Sequence, residues 1–164
     1  MLKWILTSEF SIMSTSSTSL GSTPPSTPEA WNALLGQILG ITACRTGTIH
    51  RIDPANGLLA MIAHIGIPEV LMDKISLIPV GKGIAGAAAQ RREPVQFCNI
   101  QDDPTGVVRP DARKTNVQGA VAVPILAGDR LLGVLGVGKM EVHDFTPAEI
   151  ETVQALAAQL VSWV

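Results

Sequence analysis

The sequence predicts an α+β fold: a central, mostly antiparallel β-sheet sandwiched between helices in three α/β/α layers. Three observations carry that prediction. Helical stripes of apolar residues sit at the start and end of the folded part, short β-like runs with turn-rich junctions lie between them, and the last hairpin is apolar on both sides. A sheet with one face in water would alternate apolar with polar residues, so a sheet apolar on both faces must be covered on both.

The elements follow in order. Residues 1–27 form a Ser/Thr-rich segment with Pro24 and Pro25 near its end, too poor in apolar residues to offset its ordering entropy. It reads as a flexible tail ahead of a single domain over residues 28–164. Thr27-Pro28-Glu29 is a helix start, with a hydroxyl cap, Pro in the first turn and an early acid. Trp31, Leu34, Leu35, Ile38 and Leu39 then mark one helical face, and Gly40 is expected to close the helix. Runs at Thr46–Ile52 and 58–65 flank Asp53-Pro54-Ala55-Asn56-Gly57, a hairpin signature. A helical turn over 69–74 and an extended stretch over 75–80 come next.

Gly81-Lys82-Gly83-Ile84-Ala85-Gly86 opens an Ala-rich helix that Glu93-Pro94 stops, followed by a short strand at 95–98 and a polar, irregular stretch from Asn99 to Asn116. The strongest hairpin joins 119–126 to 131–139 through Gly128-Asp129. A simple two-residue turn there pairs Val123 with Val134 and Ile125 with Leu132 on one side, and Ala122 with Leu135 and Ala120 with Val137 on the other. Thr146-Pro147-Ala148-Glu149 is a capping box that launches a helix to the C-terminus carrying Ile150, Val153, Leu156, Ala157, Leu160 and Val164. The terminal helices are expected on one sheet face, the Ala-rich helix and the polar loop on the other.

Composition narrows the function classes. The 164 residues are 46% apolar and 16% charged, with 12 basic against 14 acidic residues and a net charge of −2, so no basic excess offers itself to a nucleic acid. Three Trp, three Phe and no Tyr leave little for stacking on single strands. No apolar run reaches the roughly 18 residues of a membrane span. The two cysteines, Cys44 and Cys98, have no C-x-x-C or metal-ligand spacing, which suits free thiols in a reducing cytoplasm. The glycine run at 81–86 lacks P-loop spacing and its Lys-Ser/Thr ending, so its glycines are expected to serve a tight turn and close helix packing. His50 and His64 in strands, and His143 in a connection, lack local nucleophile partners.

The ordered set of Thr48–Pro54, Gly81–Gly86, Val95–Asp103, Val121–Ile125, Leu132–Leu135 and Phe145–Glu149 resembles a GAF domain, from about Thr27 to Val164. The resemblance implies a small-molecule pocket between one sheet face and the middle helix and loop. It further implies a sensory, non-enzymatic role and a homodimer through the terminal helices. Cyclic-nucleotide-binding members carry an Asn-Lys pair, then Phe, then Asp-Glu. Here Lys139 and Phe145 match and Glu149 nearly does, but Gly138 and Ile150 replace the other two. The free methionine-R-sulfoxide reductases of this family need a thiol inside the Gly-Lys-Gly motif, where Ala85 stands, and another near Arg113. Bilin-binding members tether pigment to a Cys often next to His, unlike Cys44-Arg45 or Cys98-Asn99. Iron-binding members need a fuller ligand set than Asp102, Asp103 and Arg109.

The chemically richest stretch supplies the expected ligand site: Phe97, Cys98, Asp102, Asp103, Arg109 and Arg113. The arginines would grip a carboxylate or phosphate, and the aspartates would accept from an amine or hydroxyl. No cofactor is assigned. The expected role is the binding of a small organic ligand, a protein partner or both; the alternatives are a thiol redox module using Cys98, related to free methionine-R-sulfoxide reductase, and a ligand-free dimerisation scaffold.

Overall fold

The computed structural model describes residues 19–164. Its elements are α1 (Pro28–Thr42), β1 (Thr46–Ile52), β2 (Leu59–Ile65), a 3₁₀ turn at Glu69–Leu71 running into α2 (Met72–Ile75), and β3 (Leu77–Ile78). Then come α3 (Gly83–Arg91), β4 (Val95–Phe97), two more 3₁₀ turns at Ile100–Asp102 and Pro110–Thr115, β5 (Gly119–Ala127), β6 (Arg130–Lys139) and α4 (Pro147–Gln159). The six strands make one sheet in the order β3-β2-β1-β6-β5-β4, every neighbouring pair antiparallel.

Both faces are covered, and they are covered differently. On one, α1 and α4 bury Leu35, Ile38 and Leu156 against Ile49, Val123 and Leu135. On the other, the alanines of α3 (Ala87, Ala88, Ala89) pack on Val95, Ala122 and Val134. The Phe97 ring joins a small cluster of Ile100, Val108 and Val117 under the polar loop. The three-layer α+β architecture is therefore as expected.

Three local expectations are corrected. α1 does not stop at Gly40; it runs to Thr42 and ends at Ala43, whose φ of 53° is left-handed and whose N–H reaches the Leu39 carbonyl. A glycine inside a helix costs only about 1 kcal/mol, less than the burial of the stripe it sits in. α4 does not reach the chain end: Leu160 and Trp163 donate to carbonyls three residues back, the tightened bonding that closes many helices. The strand expected over 75–80 pairs only at Leu77 and Ile78, because Ile75 belongs to α2.

Most of the expected tail, residues 1–18, lies outside the described residues. Its last part is not wholly solvated: Leu20 is buried in the cluster under α1 and α4, and its N–H donates to Gln159 Oε1 at 2.8 Å.

The capping box of α4 forms as predicted. Thr146 Oγ1 accepts from Glu149 N at 3.2 Å, and Glu149 Oε2 accepts from Thr146 N at 2.8 Å. Thr146→Ala leaves the Glu149 N–H an orphan donor at the start of a helix that buries Val153, Leu156 and Ala157 in the core. It is expected to cost about 1 kcal/mol and lower Tm by roughly 2–4 °C in thermal unfolding.

Candidate functional site

The last hairpin decides where the site is. Its turn has the expected two residues, with Ala127 opposite Arg130 and Leu126 opposite Leu131. A β-bulge between Ile125 and Leu126 then shifts the register by one. The expected pairs of Val123 with Val134, Ile125 with Leu132, Ala122 with Leu135 and Ala120 with Val137 are therefore wrong. Val123 lies opposite Leu135, Ile125 opposite Gly133, Ala122 opposite Gly136 and Ala120 opposite Gly138.

Side chains in a strand alternate between faces, so a shift of one re-sorts every residue. The branched residues Val121, Val123, Leu135 and Val137 gather under α1 and α4. The face under α3 receives Ala120, Ala122, Gly136 and Gly138. A floor of alanine and glycine cannot fill the space beneath a helix. A cavity of about 160 Å³ opens there.

β1 completes the floor with Thr46, Thr48 and His50, which face Gly138, Gly136 and Val134 of β6. The walls come from Ile84 and Ala85 at the start of α3, from Leu71 and Ile75 before β3, and from Ile100, Ala112 and Val117 of the polar stretch. The start of α3 is held by its own backbone: Gly81 N–H donates to Gly86 O at 2.8 Å, and Lys82 N–H to Pro79 O at 3.1 Å. A Cβ on Gly86 would stand 2.6 Å from the Pro79 carbonyl, so the glycine is needed for this close approach.

His50 is 1% exposed. Its Nε2 lies 2.9 Å from the Ile75 carbonyl, which can only accept, so Nε2 carries the proton. Burial pushes the His50 imidazolium pKa down, partly opposed by that hydrogen bond, and keeps the ring neutral.

None of the six residues expected for the site lines this cavity. Phe97 is opposite Ala120 and packs behind the wall. Cys98 is an exposed free thiol. Asp102 is exposed on a 3₁₀ turn. Asp103 turns inward and is saturated by its own loop, accepting from Thr105 N and from Val108 N at 2.8 Å each. Burial alone would raise the Asp103 carboxyl; the bonds from Thr105 and Val108, with Arg113 nearby, hold it below its ordinary value. Arg113 reaches the Asp103 carbonyl at 3.4 Å, and Arg109 reaches the Lys74 carbonyl at 3.3 Å. Lys74 in turn bonds Asp111 at 3.0 Å. Arg109 and the Lys74–Asp111 pair fasten the loop to α2 beside the cavity, and Asp103 and Arg113 bond the backbone of the loop itself.

Lys139, Phe145 and Glu149, the partial match to a nucleotide-binding pattern, also stand outside the cavity. Lys139 Nζ is 3.8 Å from Glu149 Oε1 and 6.0 Å from the Phe145 ring centre, and His143 Nε2 is 2.9 Å from Glu149. They anchor the start of α4. The Thr146 N–H, then the His143 ring and Lys139, hold the Glu149 carboxyl below its ordinary value against some opposing burial. A carboxyl depressed in the folded state stabilises above its unfolded pKa, near 4.5, and that contribution is lost as pH falls through the folded value. Glu149→Gln is thus expected to lower Tm by a few degrees at pH 7, with the gap to wild type closing below about pH 4.5, in melts run across pH.

Among the described residues no group of three or more His, Cys, Asp or Glu side chains could hold a metal ion, and no helix is long and apolar enough to cross a membrane.

An antiparallel sheet with paired terminal helices on one face and a cavity under a Gly-started helix on the other defines the class. The sequence pattern of the family described as GAF domain matches residues 26–162, and the chain belongs to that family. Solved structures agree on the fold. The GAF domain of a phosphoenolpyruvate-protein phosphotransferase from Coxiella burnetii is 22% identical, with TM-score 0.71 over 84% of this chain and 82% of that one. The free methionine-R-sulfoxide reductase of Neisseria meningitidis, solved with its substrate, is 16% identical, with TM-score 0.68 over 90% and 78%. A domain assigned to a two-component sensor histidine kinase protein of Sinorhizobium meliloti 1021 is 21% identical, with TM-score 0.67 over 84% and 90%. Among curated proteins none matches the chain.

Proposed function

We propose that this chain is a non-enzymatic sensory domain that binds a small organic ligand in the cavity under α3 and passes the event to its terminal helices. The observation that carries the reading is the division of one sheet into a hollow face and a filled face. Ligand ordering the wall of Ile84, Ile100 and Ala112 would press on strands whose opposite side holds α1 and α4. Ligand that prefers one arrangement of those helices shifts their population. Trp31, Ile150 and Trp163 remain partly exposed along that layer, which supports a homodimer there. The likeness to a domain of a two-component sensor histidine kinase protein is consistent with such an output.

Burial pushes the Cys44 thiol up, away from the reactive thiolate, which leaves Cys98 to the thiol reading. One observation weighs against that reading despite the likeness to a reductase. The methyl of Ala85 stands in the cavity wall where the reductase resemblance asks for a thiol. Peroxide inactivation of ligand binding that vanishes in Cys98→Ser would restore that reading.

The test of the cavity is to fill it. Ala120→Leu places an isobutyl group on the floor, and its apo Tm is expected to stay within a few degrees of wild type. Ligand-induced stabilisation in a thermal-shift screen of small organic compounds is expected to be lost. Compounds that stabilise both proteins equally would remove the cavity from the mechanism. A monomer at micromolar concentration in light scattering would remove the dimer.

A further inference from the structure

Resting on the cavity as the ligand site, we infer that its occupant is a small uncharged molecule, about the size of one six-membered ring, that donates an O–H or N–H hydrogen bond to His50 Nδ1. Three independent observations converge on that class.

The first is size. About 160 Å³ is close to the roughly 150 Å³ of an engineered apolar cavity that takes up benzene, and well below the several hundred Å³ that enclose drug-sized ligands. A nucleotide or a tetrapyrrole does not fit.

The second is charge. His50 is the sole titratable side chain in the lining, which contains no Asp, Glu, Lys or Arg. The neutral ring offers no counter-charge. A carboxylate, phosphate or ammonium entering this space would lose water with no opposite charge in the lining to offset it. Arg109 and Arg113, which would have gripped an anion, lie outside the lining and reach carbonyls of α2 and the loop.

The third is a vacancy in the hydrogen bonding. Nδ1 of His50 is the one buried side-chain nitrogen or oxygen among the described residues without a partner. With the proton committed to Nε2 and the Ile75 carbonyl, Nδ1 presents a bare lone pair and can only accept. Buried polar atoms in native proteins are almost always paired, so a buried, unpaired acceptor on a side chain that lines the cavity marks where a donor belongs. The Thr115 hydroxyl is already used, donating to Ala112 O at 2.7 Å and accepting from Val117 N at 3.2 Å.

Phenol, toluene and benzoate separate these requirements, since they share a ring and differ in donor and charge. Their affinities for the wild-type chain are to be measured by calorimetry at pH 7. ¹⁵N-resolved NMR of the His50 imidazole follows the same titrations. Phenol is expected to bind at least about fivefold more tightly than toluene, benzoate not to bind, and phenol alone to move the Nδ1 resonance upfield with the Nε2–H tautomer retained. In His50→Leu the preference of phenol over toluene should disappear while toluene still binds; the wild-type NMR readout stands even if that variant does not fold. Equal binding of phenol and toluene with an unmoved Nδ1, or tighter binding of benzoate, overturns the inference and leaves the cavity as the ligand site. Failure of all three to bind overturns the inference and counts against the cavity reading as well.

Discussion

Gly133→Ala is expected to be among the most damaging single-methyl changes in this chain. Gly133 lies in β6 between Arg51 of β1 and Ile125 of β5, at the edge of the bulge. A Cβ there would stand 2.1 Å from the His50 carbonyl oxygen and 3.1 Å from the Arg51 Cα. Both obstacles are backbone, and β1 is an inner strand held on its other side by β2, so neither can turn aside as a side chain would. Relief requires separating β1 from β6, the two strands that form the middle of the sheet. A cost of about 4 kcal/mol or more follows, a large share of the 5–15 kcal/mol that holds an ordinary domain together. Tm should fall by roughly 8–16 °C, or the protein should fail to accumulate in soluble form. A loss of less than about 1 kcal/mol in urea unfolding would mean that β1 and β6 are not this close.

Leu135→Ala is expected to be nearly as costly for the opposite reason, a void instead of a clash. Leu135 is fully buried between Ile49 and Val123 on the face under α1 and α4. Removing its isobutyl group should cost about 3–4 kcal/mol, the transfer energy of the lost atoms plus the hole they leave. Tm should fall by roughly 6–14 °C. Because this residue points away from the cavity, binding of phenol below the new transition should keep its wild-type affinity. A variant that melts early and also loses binding would show that the two faces are energetically one body.

Much of the fold was legible from local chemistry. Thr27 with Pro28, and Thr146 with Glu149, announce helix starts because a hydroxyl and a carboxylate satisfy amides that the helix itself cannot. Gly128-Asp129 announces a turn, and the apolar character of both strands beside it announces a sheet covered on both sides. The candidate site was not legible in the same way. Asp102, Asp103, Arg109 and Arg113 drew attention because charged loop residues are the usual makers of ligand sites. Asp103, Arg109 and Arg113 bond backbone amides and carbonyls instead. The actual cavity rests on residues with almost no chemistry of their own. Its one sequence signal was the alternation of Ala120 and Ala122 with valines, and of Gly136 and Gly138 with Leu135 and Val137. That signal can be read only in the correct register.

The amino-acid sequence by itself determined the α+β class, the order of the elements and the burial of both sheet faces. Caps, turns and apolar periodicity are local, and each acts over a few residues. Only the tertiary structure decided which side of the sheet would be hollow. One extra residue in β6, Leu132, left unpaired where the register shifts between Ile125 and Leu126, sets alanine opposite glycine on the α3 face and branched side chains opposite one another under α1 and α4. Strand register is a long-range hydrogen-bonding outcome, settled where several elements meet, and it turned a Gly/Ala-rich hairpin into the floor of a cavity with His50 in its wall.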